Sequence, residues 1–205
     1  MSMILYDYPD CPYAKKVKIV LAEKELSFET VSVDLSAGQN RQAEFLKLNP
    51  FGKVPVLVDE GVVVYDSTII NEYLDDEYPH PQLMPVESGE RSRVRVLEDF
   101  ADIAFTLPVM AVERELSFGS SDRDEKRLDT ARGVVEKMLV MLNRELNKKE
   151  YLAGEFSLAD VAFAPAVLQL DKLGVKVETS LTNVRSWMAR LSERPTVGPV
   201  IELVA

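Results

Sequence analysis

The segment Asn49-Pro50-Phe51-Gly52-Lys53-Val54-Pro55-Val56-Leu57 sets a proline inside an apolar run. A proline there has no N–H for a strand ladder, so the run does not read as a central strand. It reads as the entry to an edge strand. With a cis Val54–Pro55 bond, the turn leaves the Val54 backbone open to solvent. An open strand edge can pair with the backbone of an extended peptide. Val54 and Pro55 are therefore candidate ligand-binding residues.

Downstream, Val54 to Val58 and Val62 to Tyr65 are two apolar strands, and Glu60-Gly61 between them is a hairpin turn. Asp66-Ser67 opens a helix carrying Ile69, Ile70, Tyr73 and Leu74 on one face. The Ser67 hydroxyl is expected to cap that helix, whose N-terminus is a ready site for a carboxylate. Upstream lie a strand at Met3 to Tyr6, a turn at Tyr8-Pro9-Asp10 and a helix from Pro12 to Lys24. A strand from Phe28 to Val33 and a short helix from Asn40 to Leu48 follow. Residues 1–78 thus read β-α-β-α-β-β-α, an α+β layer.

Pro79-His80-Pro81-Gln82-Leu83-Met84-Pro85 breaks both helix and strand, and 79–87 reads as a linker. Residues 88–205 read as an all-α domain, with amphipathic helices at 89–118, 122–148, 157–172 and 180–192 and a kink at Pro108. Ser157 and Asp160 fit a capping box. Trp187 reads as core.

The chain has 205 residues, 46% hydrophobic and 28% charged, with a net charge of −10. An acidic surface is poorly suited to phosphate backbones, so direct nucleic-acid binding is not expected. No segment has the length and apolarity of a membrane span, and the N-terminus lacks a secretory pattern. A soluble cytoplasmic protein is expected. One histidine, His80, cannot build a metal cluster, and no metal is expected.

Cys11 is the single cysteine. It falls directly after a strand and directly before a helix whose unpaired N–H groups and dipole face it. Such a position favours thiolate. Lys15 and Lys16 add positive charge, and Asp10 opposes them. Cys11 is the candidate nucleophile.

Cys11-Pro12-Tyr13-Ala14 resembles the glutaredoxin active site, with Ala14 where a second cysteine would stand. The Asn49–Leu57 segment, then Asp66-Ser67, a helix and a proline-rich linker resemble the glutathione-transferase family over essentially the whole chain. The resemblance implies a thioredoxin-like N-terminal domain, an all-helical C-terminal domain and glutathione as co-substrate. It implies that Val54 pairs with the cysteinyl part of glutathione and that the proline matching Pro55 is cis. Asp66 and Ser67 would hold the γ-glutamyl end, although most members have Glu where Asp66 stands. Lys53 and Arg41, placed on the second helix, would serve the glycyl carboxylate. Tyr8, Tyr13, Phe105 and Pro108 would line the pocket for the second substrate. Cys11 marks the cysteine-type (omega-like) members, which carry out thiol transfer and deglutathionylation. A homodimer is implied as well.

A second resemblance runs through Tyr78 to Val86, Glu155-Phe156-Ser157-Leu158 and Leu21-Ala22-Glu23-Lys24. These are similar to stringent starvation protein A, a regulator of the same fold that binds RNA polymerase and lacks transferase activity. There the loop matching Pro79-His80-Pro81 is part of an exposed partner-binding surface. The thiol retained at Cys11 favours the enzyme.

Overall fold

The computed structural model describes residues 3–202. The chain divides into two compact units: one runs up to Leu83 and includes the residues from Pro199 on, the other runs from Met84 to Gly198. The division falls inside the 79–87 stretch, so Pro79 to Leu83 pack with the first unit.

The first unit contains β1 (Met3–Asp7), α1 (Pro12–Glu23), β2 (Glu29–Ser32), a 3-10 turn (Gln39–Arg41), α2 (Ala43–Leu48), β3 (Val56–Asp59), β4 (Val62–Tyr65) and α3 (Ser67–Glu77). The strands form one sheet in the order β2-β1-β3-β4. β1 is parallel to β2 and antiparallel to β3, and β3 is antiparallel to β4. The sequence of elements is the expected β-α-β-α-β-β-α, and the sheet makes it a thioredoxin-like unit. Leu5, Val56 and Leu57 are fully buried, as are Val17, Ile19, Val20 and Leu21 of α1 and Ile70 and Leu74 of α3. The expected Asn40–Leu48 helix is interrupted. Extended Gln42 separates the 3-10 turn from α2, so Arg41 ends the turn and is not on the helix.

A buried lysine fixes the end of this unit. Lys24 Nζ lies 2.8 Å from Asp75 Oδ1 and donates to the carbonyls of Tyr78 (2.6 Å) and Pro81 (2.9 Å). Asp75 Oδ1 also accepts the Leu83 N–H. The Tyr73 and Tyr78 hydroxyls both donate to Asp59 Oδ2. Burial and then the Asp59 carboxylate push both phenols up to about 12.

The second unit is helical: α4 (Ser88–Phe100), α5 (Leu107–Ser117), α6 (Glu125–Glu145), α7 (Leu158–Val167) and α8 (Thr182–Glu193). The short helix α9 (Gly198–Glu202) begins at its last residue and otherwise belongs to the first unit. A π-helical segment, Ala101–Thr106, joins α4 to α5. Pro108 lies just past that segment and has no N–H for a regular helical bond. The wider π turn relieves the mismatch where a sharp kink is expected from sequence.

Asp160 of α7 is the polar centre of this unit. Its carboxylate accepts the N–H groups of Leu152 and Ser157, the Ser157 hydroxyl and the Trp187 indole N–H, all within 2.9–3.1 Å. The capping box is therefore present. Trp187 is fully buried against Phe163. Complete burial raises the Asp160 pKa to about 6, although all four hydrogen bonds act to lower it. Among the described residues no helix is long and apolar enough to cross a membrane, and no cluster could hold a metal ion.

Candidate functional site

The sheet register gathers three candidate segments at one end of the first unit. Tyr6 pairs with Val56, and Val56 pairs with Tyr65. The end of β1 that leads to Cys11, the start of β3 that follows Val54-Pro55 and the end of β4 that leads to Asp66-Ser67 therefore lie in one row. Two strand spacings make that row roughly 10 Å long, about the span of three extended residues. Lys16 Nζ reaches Thr68 Oγ1 at 3.4 Å and ties α1 to the first turn of α3.

The Val54–Pro55 bond is cis. β3 begins only at Val56, so Val54 precedes the strand. Its side chain packs against Val33, Phe45 and Val56. Neither its N–H nor its C=O has a hydrogen-bond partner among the described residues. β3 lies between β1 and β4 and is a central strand, not the edge strand expected from sequence. Pro55 is tolerated because it precedes the ladder, and what is open is the Val54 backbone ahead of the strand.

Two asparagines shape the loop that leads to it, and sequence reasoning assigned neither a role. Buried Asn49 donates from Nδ2 to the Lys53 carbonyl (2.8 Å), and its Oδ1 accepts the Phe51 N–H. Its own carbonyl accepts the Gly52 N–H. Asn40 Nδ2 donates to the Gly52 carbonyl at 2.7 Å. Gly52 takes φ +61, and a Cβ there would lie 3.0 Å from the Asn40 carbonyl oxygen. Asn49 preceding Pro50 is a turn signal; Asn40 carries no comparable mark.

Asp66, and not Ser67, is the cap of α3. Its carboxylate accepts the N–H groups of Thr68 (3.0 Å) and Ile69 (3.4 Å). Its φ of +75 is rare for a non-glycine residue, and such backbone collects at functional sites. Ser67 occupies the first helical position and is 4% exposed, with no hydrogen bond to its hydroxyl among the described residues.

Cys11 is the N-cap residue of α1, with Pro12 at the first helical position. Its N–H donates to the Tyr8 carbonyl at 2.9 Å, which closes a turn back toward the end of β1. The expected lowering of the thiol does not occur. Burial pushes it up, the N–H groups of Ala14 and Tyr13 pull the other way, and Asp7 raises it further. The opposing carboxylate is buried Asp7 and not exposed Asp10. Lys15 lowers the thiol only as the smallest contribution.

The remaining candidates separate. Arg41 and Lys53 are exposed, and Tyr8 and Tyr13 are half-buried, all in the first unit. Phe105 and Pro108 belong to the second. Phe105 is fully buried and makes an edge contact with Phe163, with centroids 5.5 Å apart. Its place is in the core and not in a pocket wall. Pro108 lines a surface groove with Ile103, Leu107 and Val134.

Residues 1–76 match the glutathione S-transferase N-terminal domain, and residues 100–195 match the C-terminal domain. The chain belongs to the glutathione S-transferase family. It is 36% identical to a glutathione S-transferase of Arabidopsis thaliana over 158 residues, 74% of each protein. It is 32% identical to a stringent starvation protein A homolog of Pasteurella multocida (strain Pm70) over 187 residues, 89% of this chain and 82% of that one. Among solved structures, a glutathione transferase from Phanerochaete chrysosporium in complex with oxidized glutathione matches with a TM-score of 0.88 at 25% identity, over 98% of this chain and 96% of that one.

Proposed function

We propose that this transferase-family protein binds glutathione along the β1–β3–β4 end of its first unit and performs thiol transfer at Cys11. The observation that carries this reading is the open Val54 backbone, set in the row that also leads to Cys11 and Ser67. The Val54 N–H and C=O pair with the cysteinyl residue of the peptide. The Ser67 hydroxyl and the first turn of α3 receive the γ-glutamyl carboxylate. Arg41 and Lys53 supply positive charge for the glycyl end.

In the reaction Cys11 loses its proton to solvent, and its sulfur attacks the glutathione sulfur of a mixed disulfide. A new S–S bond forms to glutathione, and the substrate thiolate leaves. A second glutathione thiolate then attacks that bond, releases oxidised glutathione and restores Cys11. Two electrons pass from glutathione to the substrate. Among relatives the structural support is a transferase holding oxidized glutathione. A homodimer and a cytoplasmic setting belong to the same reading. The apolar surface that a homodimer would cover includes Phe51 and Ile69, 72% and 56% exposed.

The test is calorimetric titration with glutathione, followed by intact-mass measurement after exposure to oxidised glutathione. Binding with one glutathione adduct on Cys11 supports the reading. Binding without an adduct moves the chemistry to the glutathione thiol. No binding overturns it.

A specific observation favours a second reading, an RNA-polymerase-binding regulator. Lys24, within one segment similar to stringent starvation protein A, holds the carbonyls of Tyr78 and Pro81 in the other. The two segments are one structural unit presenting exposed His80. Capture of purified RNA polymerase by the protein, lost on His80→Ala, would favour it.

A further inference from the structure

The end of β1 holds a charged group that the proposed reaction leaves unused. Asp7 is the last residue of β1 and is 1% exposed. Neither carboxylate oxygen has a hydrogen-bond partner among the described residues, and Lys18 of α1 is its ion-pair partner. Buried carboxylates ordinarily accept several hydrogen bonds, because an ionised group taken out of water is costly without them. A carboxylate held this way retains a strong field over its surroundings.

A backbone turn brings Cys11 back toward the end of β1. The Tyr8 carbonyl accepts the Cys11 N–H, so the chain folds back from the N-cap of α1 onto the residue after Asp7. The Asp7 carbonyl in turn accepts the Val33 N–H at 2.7 Å, which anchors the end of the strand. The other charged groups nearby are few. α1 contributes Lys15, Lys18 and buried Lys16, which reaches Thr68 of α3. The turn before Cys11 contributes exposed Asp10. The β2 residue opposite Asp7 is neutral Ser32; the β3 carboxylate, Asp59, pairs with Met3 at the far end of β1.

We propose that the ion pair between buried Asp7 and half-buried Lys18 is a positioning element that biases the charge state of Cys11. The inference rests on the reading of Cys11 as the reacting thiol. Burial is the first cause that keeps the sulfur protonated in the free protein, the Asp7 charge adds to it, and the Lys18 ion pair moderates the Asp7 contribution. The direction of the Asp7 influence on the thiol agrees. Cys11 is thereby protected from adventitious oxidation, since the thiolate is the reactive form.

The test is the pH dependence of Cys11 alkylation by iodoacetamide, followed by intact mass on the full chain. The thiolate sulfur displaces iodide, a C–S bond forms, and the proton goes to solvent. Asp7→Asn moves the rate profile to lower pH and gives severalfold faster alkylation at pH 7. Lys18→Met moves it to higher pH. A folded Asp7→Asn protein with an unshifted profile overturns the proposal. If Asp7→Asn does not fold, Lys18→Met decides, and a profile unshifted or moved to lower pH overturns it. Alkylation requires no glutathione, so its outcome is separate from that of the glutathione-adduct experiment.

Discussion

The ammonium of Lys24 lies 2.8 Å from the Asp75 carboxylate, and both side chains are nearly sealed from water. Lys24→Met removes the buried ammonium beside Asp75 and releases two carbonyls of the 78–81 loop. A loss of about 3–5 kcal/mol is expected, read by urea unfolding followed by circular dichroism. The Leu83 amide, which donates to Asp75, should exchange with solvent faster. A loss under about 1 kcal/mol would contradict the anchoring role.

Gly52, in the loop before Val54, combines a positive φ with little room for a side chain. Gly52→Ala places a methyl group 3.0 Å from the Asn40 carbonyl at a positive φ. A destabilisation of about 1–2 kcal/mol is expected, with weaker glutathione binding because Val54 follows in the same loop. Thermal melts and calorimetry measure the two effects separately. A protein with unchanged melting and unchanged affinity would remove Gly52 from the account.

Cys11 and Ser67 should divide binding from chemistry. Cys11→Ala abolishes the glutathione adduct and leaves glutathione affinity nearly unchanged. Ser67→Ala, at a position that does not cap its helix, weakens affinity severalfold with little change in melting temperature. Unchanged affinity in the Ser67 variant sinks the carboxylate-holding role, and full turnover in the Cys11 variant sinks the nucleophile.

Asp160 makes the helical unit pH-sensitive. Its folded pKa of about 6 lies above the ordinary 3.8, so the native state retains a proton that the unfolded chain has lost in that window. The stability this group contributes is greatest below about pH 4 and declines by roughly 3 kcal/mol as pH rises to about 6. Asp160→Asn removes the slope and cannot accept from all four donors. The wild-type advantage over the variant should therefore be largest near pH 4 and shrink toward pH 7. Paired thermal melts across that range check it, and a constant difference would contradict the direction of the shift.

The order of elements was legible because each local signal agreed with the whole: Pro12 at a helix start, Glu60-Gly61 at a hairpin, Ser157 and Asp160 at a cap. The chemistry was legible only in part. A strand–Cys–Pro–helix arrangement locates Cys11, but the direction of its thiol depends on burial and on Asp7, a neighbour that only the folded chain brings into account. Spacing put Phe105 on an apolar helix face, and that face turned out to be core. Buried lysines are similarly opaque, since Lys24 reads as a surface residue until Asp75, Tyr78 and Pro81 are seen around it. Capping at Asp66 was concealed by its neighbour, because aspartate and serine are both good caps.

Trp187 is the single tryptophan, and it lies sealed in the second unit with its indole N–H on Asp160. Intrinsic tryptophan fluorescence therefore reports on the helical unit alone. A sample whose first unit has melted would still emit as native, and an unfolding curve taken at that wavelength would miss the event. Comparing it with the far-ultraviolet signal, which sees both units, shows directly whether the two halves of the protein unfold together.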